Sequence, residues 1–443
     1  MKTQVLKYLD RVRGSFWFLP SMMAGGAVVL AMATVALDEA VTDRWQDTLS
    51  WAYSGGAAGA SAVLQTIAGS MITIAGVVFS LTLVALSLAS SQFGPRLLRN
   101  FMRDTANQVV LGTFVATFLY CLLVLRTIRY DGNGAFVPHL SVTFGVAFAL
   151  ASLWVLIYFI HHVSVSIQAD EIVSRVSEEL IASIDRLWKE QENREGDRAP
   201  DRMVVTLPDT FEREARSVAS PVDGYLQMID MDALVAAAAQ ADAIVRLQRR
   251  PGQYVVAGGS LLLAWPAARI DDDVAARFVA AFVLGNQRTP TQDLEFSVHQ
   301  LVEIAARALS PGVNDPFTAI TCVDRLGSAL CRLARREVPS PFRFDASRNI
   351  RVVAIPGTFT DIADAALNQI RQHARTDAAV TIRLLETIAV VAAHAHRPQD
   401  RDALARHAEM ILRGASDGLP EPEDRRQAQQ RFDDIGRALA RRE

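Results

Sequence analysis

The sequence predicts a mainly α protein. Four transmembrane helices are followed by a cytoplasmic α+β region, in which a small β barrel-sandwich-like module precedes a helical domain. Three observations predict this. Half of the 443 residues are apolar, the mean hydropathy is +0.17, and the apolar residues crowd into the first 160 positions. Those positions hold four uncharged stretches long enough to cross a hydrocarbon core of ~30 Å. Beyond residue 216 the pattern changes to short runs punctuated by Gly and Pro, and beyond 270 to apolar positions three and four apart.

The first span covers about 16–37. Lys2, Lys7, Arg11 and Arg13 precede it, and Trp17 and Phe18 suit the interface. Pro20 lies in its first turns, where a missing N–H costs little. Ala31-Met32-Ala33 faintly resembles a signal-peptide cleavage site, but the apolar run is too long for a signal core and further spans follow. An uncleaved helix is therefore expected. The second span covers about 66–91, the third 108–126 and the fourth 139–160. The segment 163–195 reads as an amphipathic connecting helix, 196–268 as the β-rich module and 269–443 as the helical domain. The first loop is acidic, with Asp38, Glu39, Asp43 and Asp47, whereas the connector Pro95–Arg103 is basic. The positive-inside rule then places both termini in the cytoplasm; Arg126 and Arg129 oppose this and are partly offset by Asp131.

The second span is the most patterned. Ile67–Ser91 has no ionisable side chain, and Thr66, Ser70, Thr73, Val77, Ser80, Val84, Ser87 and Ser91 recur at steps of four and three. At 100° per residue they form one stripe, with Ala68, Ile72, Ala75, Phe79 and Leu86 opposite. Such a stripe suits a water-lined pore. It suits a tightly packed helix pair slightly better, because Ser and Thr return their hydroxyls to a carbonyl four residues back. The spans carry no buried Asp, Glu, Lys or Arg, Arg126 standing at the very end of the third, which argues against ion-coupled carriers and leaves a passive conduit, a sensor or a scaffold.

Composition excludes other classes. Lys2, Lys7 and Lys189 are the only lysines among 45 basic residues, so the C-terminal part lacks a Walker lysine, a pyridoxal Schiff base and a kinase-type lysine. A net charge of −3 does not mark a nucleic-acid binder. Cys121, Cys322 and Cys331 make no disulfide framework.

In the C-terminal half, Ser220–Ile229 and Pro251–Trp265 resemble the barrel-sandwich hybrid of lipoyl and biotinyl carriers, but the carrier lysine is missing. Helices are expected at Asp232–Ala241, Val274–Leu284, Glu295–Leu309, Thr318–Leu333, Asp361–Ala374, Ala378–Ala393, Arg401–Leu412 and Asp424–Arg441, with a hairpin over Phe342–Ile355. Arg288, Asp293, Asn314 and Asp315 are candidates for a polar site, although capping explains Asp315 without a ligand. His161-His162, the His299/Glu303 pair and His394-Ala395-His396 lack the further ligands of a metal site. Ser310 lacks the setting of a nucleophile. Arg96, Arg99 and Arg103 suit anionic headgroups or a cytoplasmic mouth. No cofactor is implied.

The blocks GVVFSLTLVALSLASSQFGPRLLRNF (76–101), LGTFVATFLYCLLVLRTIR (111–129) and RTPTQDLEFSVHQLVEIAARALSPGVNDPFTA (288–319) resemble the bacterial predicted membrane proteins grouped as domain of unknown function 2254. The resemblance implies a multi-pass inner-membrane protein with a cytoplasmic domain, and supplies no activity or site residues. The functional expectation is a homo-oligomer in the bilayer, with the second span lining a passive path for ions or small solutes and the C-terminal ligand unknown. Its rival is a non-conducting scaffold or sensor. A membrane-tethered enzyme using the Arg288–Asp315 region is third, and no enzyme activity is expected.

Overall fold

The computed structural model describes residues 17–41, 56–93, 104–129, 136–166, 168–195 and 207–440. The chain divides into two compact units, Met1–Glu171 and Ile172–Glu443, each described by itself below.

Among the described residues, the N-terminal unit holds four helices: α1 (Phe18–Val41), α2 (Ala57–Phe93), α3 (Thr105–Leu125) and α4 (His139–Ser166). All four are long and apolar enough to cross a membrane. Helix α2 begins well before the expected residue 66. Its first turns are Ala57-Ala58-Gly59-Ala60, where alanine's helix propensity and the burial of Ala60 and Leu64 extend the helix.

The central helix is α3, not α2. It packs against α1, α2 and α4, and buries Phe114, Tyr120, Cys121 and Val124 completely. At Gly112 a Cβ would lie 2.5 Å from Met23 Sδ, so this glycine lets α1 approach closely. Helix α2 contributes one edge to the core: Ala60, Leu64, Ala68, Met71, Ala75 and Val78, again at steps of four and three.

Polar side chains tie the ends of this bundle. Asp38, near the end of α1, accepts from the backbone N–H groups of Leu140 and Ser141 (both 2.9 Å) and from Ser141 Oγ (2.6 Å), satisfying the first turn of α4. Tyr120 Oη donates to Ser141 O (3.1 Å) and lies 3.0 Å from Thr34 Oγ1. Near the other end, Asp104 caps α3 through Ala106 N–H (3.0 Å) and meets His162 Nε2 at 2.8 Å.

The C-terminal unit begins within α5 (Ala169–Glu195). Helix α4 runs to Ser166, so the amphipathic helix expected from Val163 starts later, where Asp170 and Glu171 favour a helix N-terminus. Its apolar stripe, Ile172, Val173, Val176, Leu180 and Ile184, is buried. The short α6 (Phe211–Glu214) follows, then β1 (Arg216–Ala219), β2 (Gly224–Ile229), α7 (Met231–Gln240), β3 (Ile244–Leu247), β4 (Tyr254–Val255), β5 (Ser260–Trp265), α8 (Asp272–Ala280) and β6 (Phe282–Gly285). After α9 (Leu294–Ala308) and α10 (Pro316–Ala334) comes the hairpin β7 (Phe342–Phe344) and β8 (Ile350–Val353). Helices α11 (Phe359–Ala374), α12 (Ala378–Ala392), α13 (Pro398–Gly418) and α14 (Pro422–Ala440) complete the described chain.

The strands make two open sheets, β1-β5-β3-β8-β7 and β4-β2-β6, antiparallel except for the parallel pair β3–β8. The module expected over 196–268 is therefore not self-contained. Strand β6 completes one sheet by pairing with β2, and the hairpin completes the other. The expected helix Val274–Leu284 ends at Ala280, because Phe282-Val283-Leu284 favours a strand and finds a partner in β2. Buried residues from both sheets and from α7 and α8, among them Leu226, Leu234, Val245, Leu262 and Phe278, form one core. Beyond it, α9 packs on α10 and α11, α10 on α12, and α12 on α14. Asp293, Asp315, Thr358 and Asp377 cap α9, α10, α11 and α12, each cap contributing about 1 kcal/mol.

Candidate functional site

On α2 the eight positions of the hydroxyl–valine stripe are all solvent-exposed in the single chain, opposite the edge that packs on the bundle. Packing against the described residues of the same subunit therefore does not account for the stripe. Thr66, Ser70 and Thr73 donate to the carbonyls of Ala62, Thr66 and Gly69 (2.8, 2.7 and 2.8 Å), and Ser91 donates to Leu88 O (2.9 Å). Gly69 and Gly76 flank the stripe, and a Cβ on either would meet nothing within 4 Å. Opposite the stripe, Ala68 and Ala75 are buried, whereas Ile72 and Phe79 are exposed. Arg96, Arg99 and Arg103 lie outside the described residues.

In the C-terminal unit, Arg288 and Asp293 do meet. Arg288 Nε donates to Asp293 Oδ2 (2.7 Å) and Nη2 to Oδ1 (2.9 Å), a bidentate pair with the Asp293 side chain 3 % exposed. The same carboxylate caps α9 through Phe296 N–H (3.2 Å). Gly252, at φ +94°, lies against it: a Cβ there would stand 2.3 Å from Asp293 Oδ2. Arg288 Nη1 donates to His299 Nδ1 (3.2 Å), so His299 serves the polar cluster. Glu303 pairs with Arg307 on its own helix (3.6 Å).

The network continues to residues that the sequence did not single out. Arg250 donates through Nη2 to Glu295 Oε1 (2.6 Å) and through Nη1 to Asp361 Oδ2 (2.8 Å), joining the turn after β3 to the first turns of α9 and α11. Burial pushes the Asp361 carboxyl up, but the hydrogen bonds from Arg250 and Thr358 outweigh it and hold Asp361 below the ordinary aspartate value. Beside this network is a cavity of about 180 Å³, walled by Ile229, Leu247, Leu294 and Ile362 with Arg250 and Glu295 at its edge.

Asn314 and Asp315 stand apart from this network in their contacts. Asp315 accepts from Thr318 N–H (3.2 Å) and Thr318 Oγ1 (2.5 Å), which is the capping role, and Asn314 takes a left-handed turn at φ +51°. Ser310 Oγ donates to Arg307 O (2.6 Å). His161 is exposed while His162 meets Asp104, so the two rings face different surroundings.

The model of the family described as "Predicted membrane protein (DUF2254)" matches residues 13–390. The chain belongs to that family. Uncharacterized proteins of Mycobacterium bovis and Mycobacterium tuberculosis are each 34% identical over 427 residues, covering 94% of this chain and 79% of theirs. No solved structure matches.

In this DUF2254 protein the Arg250–Glu295–Asp361 bridge had only a partial signal in sequence. Thr358-x-x-Asp361 reads as a helix start and Pro251-Gly252 as a turn, but nothing local says that one arginine joins them.

Proposed function

We propose that this DUF2254 protein is a homo-oligomer of the bacterial inner membrane, with both termini cytoplasmic, in which α2 of each copy lines a passive path for ions or small solutes. The observation that carries the reading is the outward direction of the α2 stripe. A helix facing lipid gains most from large apolar side chains, whereas this face holds hydroxyls and valines that stand exposed among the described residues, flanked by two glycines. Hydroxyls would give the path a polar lining, and Val77 and Val84 would form dewetting constrictions. The C-terminal unit is then a cytoplasmic domain that sets subunit geometry. The reading assigns the chain no catalysis.

Cysteine scanning from Thr66 to Ser91 tests the lining. Water-soluble thiol reagents should label the eight stripe positions and spare Ala68, Met71, Ala75 and Val78. Labelling without that period contradicts it. A non-conducting scaffold or sensor is favoured instead by the back-bonded hydroxyls of Thr66, Ser70 and Thr73, which need no water. That reading expects cross-linking between copies at Ser80 without aqueous labelling or flux.

A further inference from the structure

We propose that the cavity beside Arg250 and Glu295 binds a small neutral molecule with an apolar body and one hydrogen-bond donor, of the size and kind of a phenol. The proposal is independent of the conduit reading, since it rests wholly on the C-terminal unit. Size sets the first limit. At about 180 Å³ the space is comparable to an apolar cavity of ~150 Å³ that takes benzene, and below the ~300 Å³ of ordinary drug-type pockets. It therefore has room for a ligand of about the size of one aromatic ring with a small substituent. Leu187, Ile229, Met231, Leu247, Leu294 and Ile362 supply apolar wall from five separate stretches of chain, alongside the polar Arg250, Gln292, Glu295 and Ser340, so the larger part of the ligand's contact is apolar.

Charge sets the second limit. Arg250, Arg288 and Arg343 stand with Asp293, Glu295 and Asp361 in and directly behind the wall, so the guanidinium and carboxylate charges balance. A charged ligand would add an uncompensated charge to a partly desolvated site; a neutral one adds none.

Glu295 sets the third. Its Oε1 accepts from Arg250 at 2.6 Å, while the guanidinium nitrogen nearest Oε2, Arg288 Nη2, is 3.8 Å away, beyond hydrogen-bond reach. Glu295 lines the cavity with about a quarter of its side chain exposed, leaving Oε2 able to accept one O–H or N–H from an occupant.

The test is a thermal-shift titration of the full-length chain in detergent with phenol, anisole, benzylamine and benzoate. Phenol should raise the melting temperature saturably, and anisole, lacking the donor, should bind at least ~10-fold more weakly. Ile362→Phe, which fills the space, should lose the saturable shift while still melting cooperatively. Leu187→Trp does the same from another part of the wall if Ile362→Phe fails to fold. Glu295→Gln should narrow the gap between phenol and anisole. No saturable shift in the wild type, equal shifts in wild type and filled variants, or tighter binding of benzylamine or benzoate than of phenol would overturn the proposal.

Discussion

Asp293 holds two jobs in one side chain, clamping Arg288 and capping α9. Asp293→Asn keeps an acceptor for the cap but leaves the arginine without its bidentate partner. It should cost about 2 kcal/mol in denaturant unfolding, with Arg288→Met in the same background recovering part of the loss. Gly252→Ala meets both a positive φ and the Asp293 carboxylate, and should cost at least ~1 kcal/mol by the same assay. A pH effect belongs to His407. It is fully buried, with Nε2 2.7 Å from Asp364 Oδ1. Burial pushes its pKa down, Asp364 opposes this, and Arg406 and Arg371 add to the lowering. The unfolded chain then binds the proton more readily, so stability is full above the ordinary histidine value of ~6.5 and falls as pH drops below it toward the folded value. Melting temperatures between pH 7.5 and 5 should decline in the wild type and decline less in His407→Gln. At this scale the sequence was readable where a residue acts on its own turn. The cap Asp315 is the example, since an aspartate before an apolar helical run has one cheap local use; Asp293 was read only as a polar-site candidate, and its cap of α9 appears in the structure. Arg250 was not readable, because its partners Glu295 and Asp361 come from distant turns.

Among elements, the four spans were legible because hydrocarbon leaves little choice: a long uncharged apolar run has to satisfy its backbone as a helix. Which span sits at the centre was not. The patterned α2 drew attention, yet α3, with the weaker pattern, is surrounded and α2 lies at one edge. A helix buried on several sides shows little periodicity, and one packed on a single side shows much. The hairpin over 342–355 was likewise legible by alternation, but not its parallel docking on β3, because that pairing is set by a strand far along the chain. Two predictions belong to elements. Asp38→Ala removes three hydrogen bonds to the start of α4 and should lower the melting temperature in detergent, by an amount equivalent to roughly 2 kcal/mol. Gly76→Leu places its Cβ where no described residue lies within 4 Å, so it should leave subunit folding intact while weakening the proposed contact between copies. Cross-linking yield and native mass read the second effect.

For the whole molecule, the sequence conveys a membrane-embedded half and a half of mixed helices and strands, and family membership agrees with the first. The conduit reading joins one observed face to one proposed assembly. Its most direct test is flux through proteoliposomes holding Ser80→Cys in a background with Cys331 replaced by serine. The account predicts passive flux of a small ion or solute that a bulky water-soluble thiol reagent blocks at Ser80→Cys but not in the parent. Flux that is absent for every small ion and solute tried, or that the reagent leaves untouched, would contradict it.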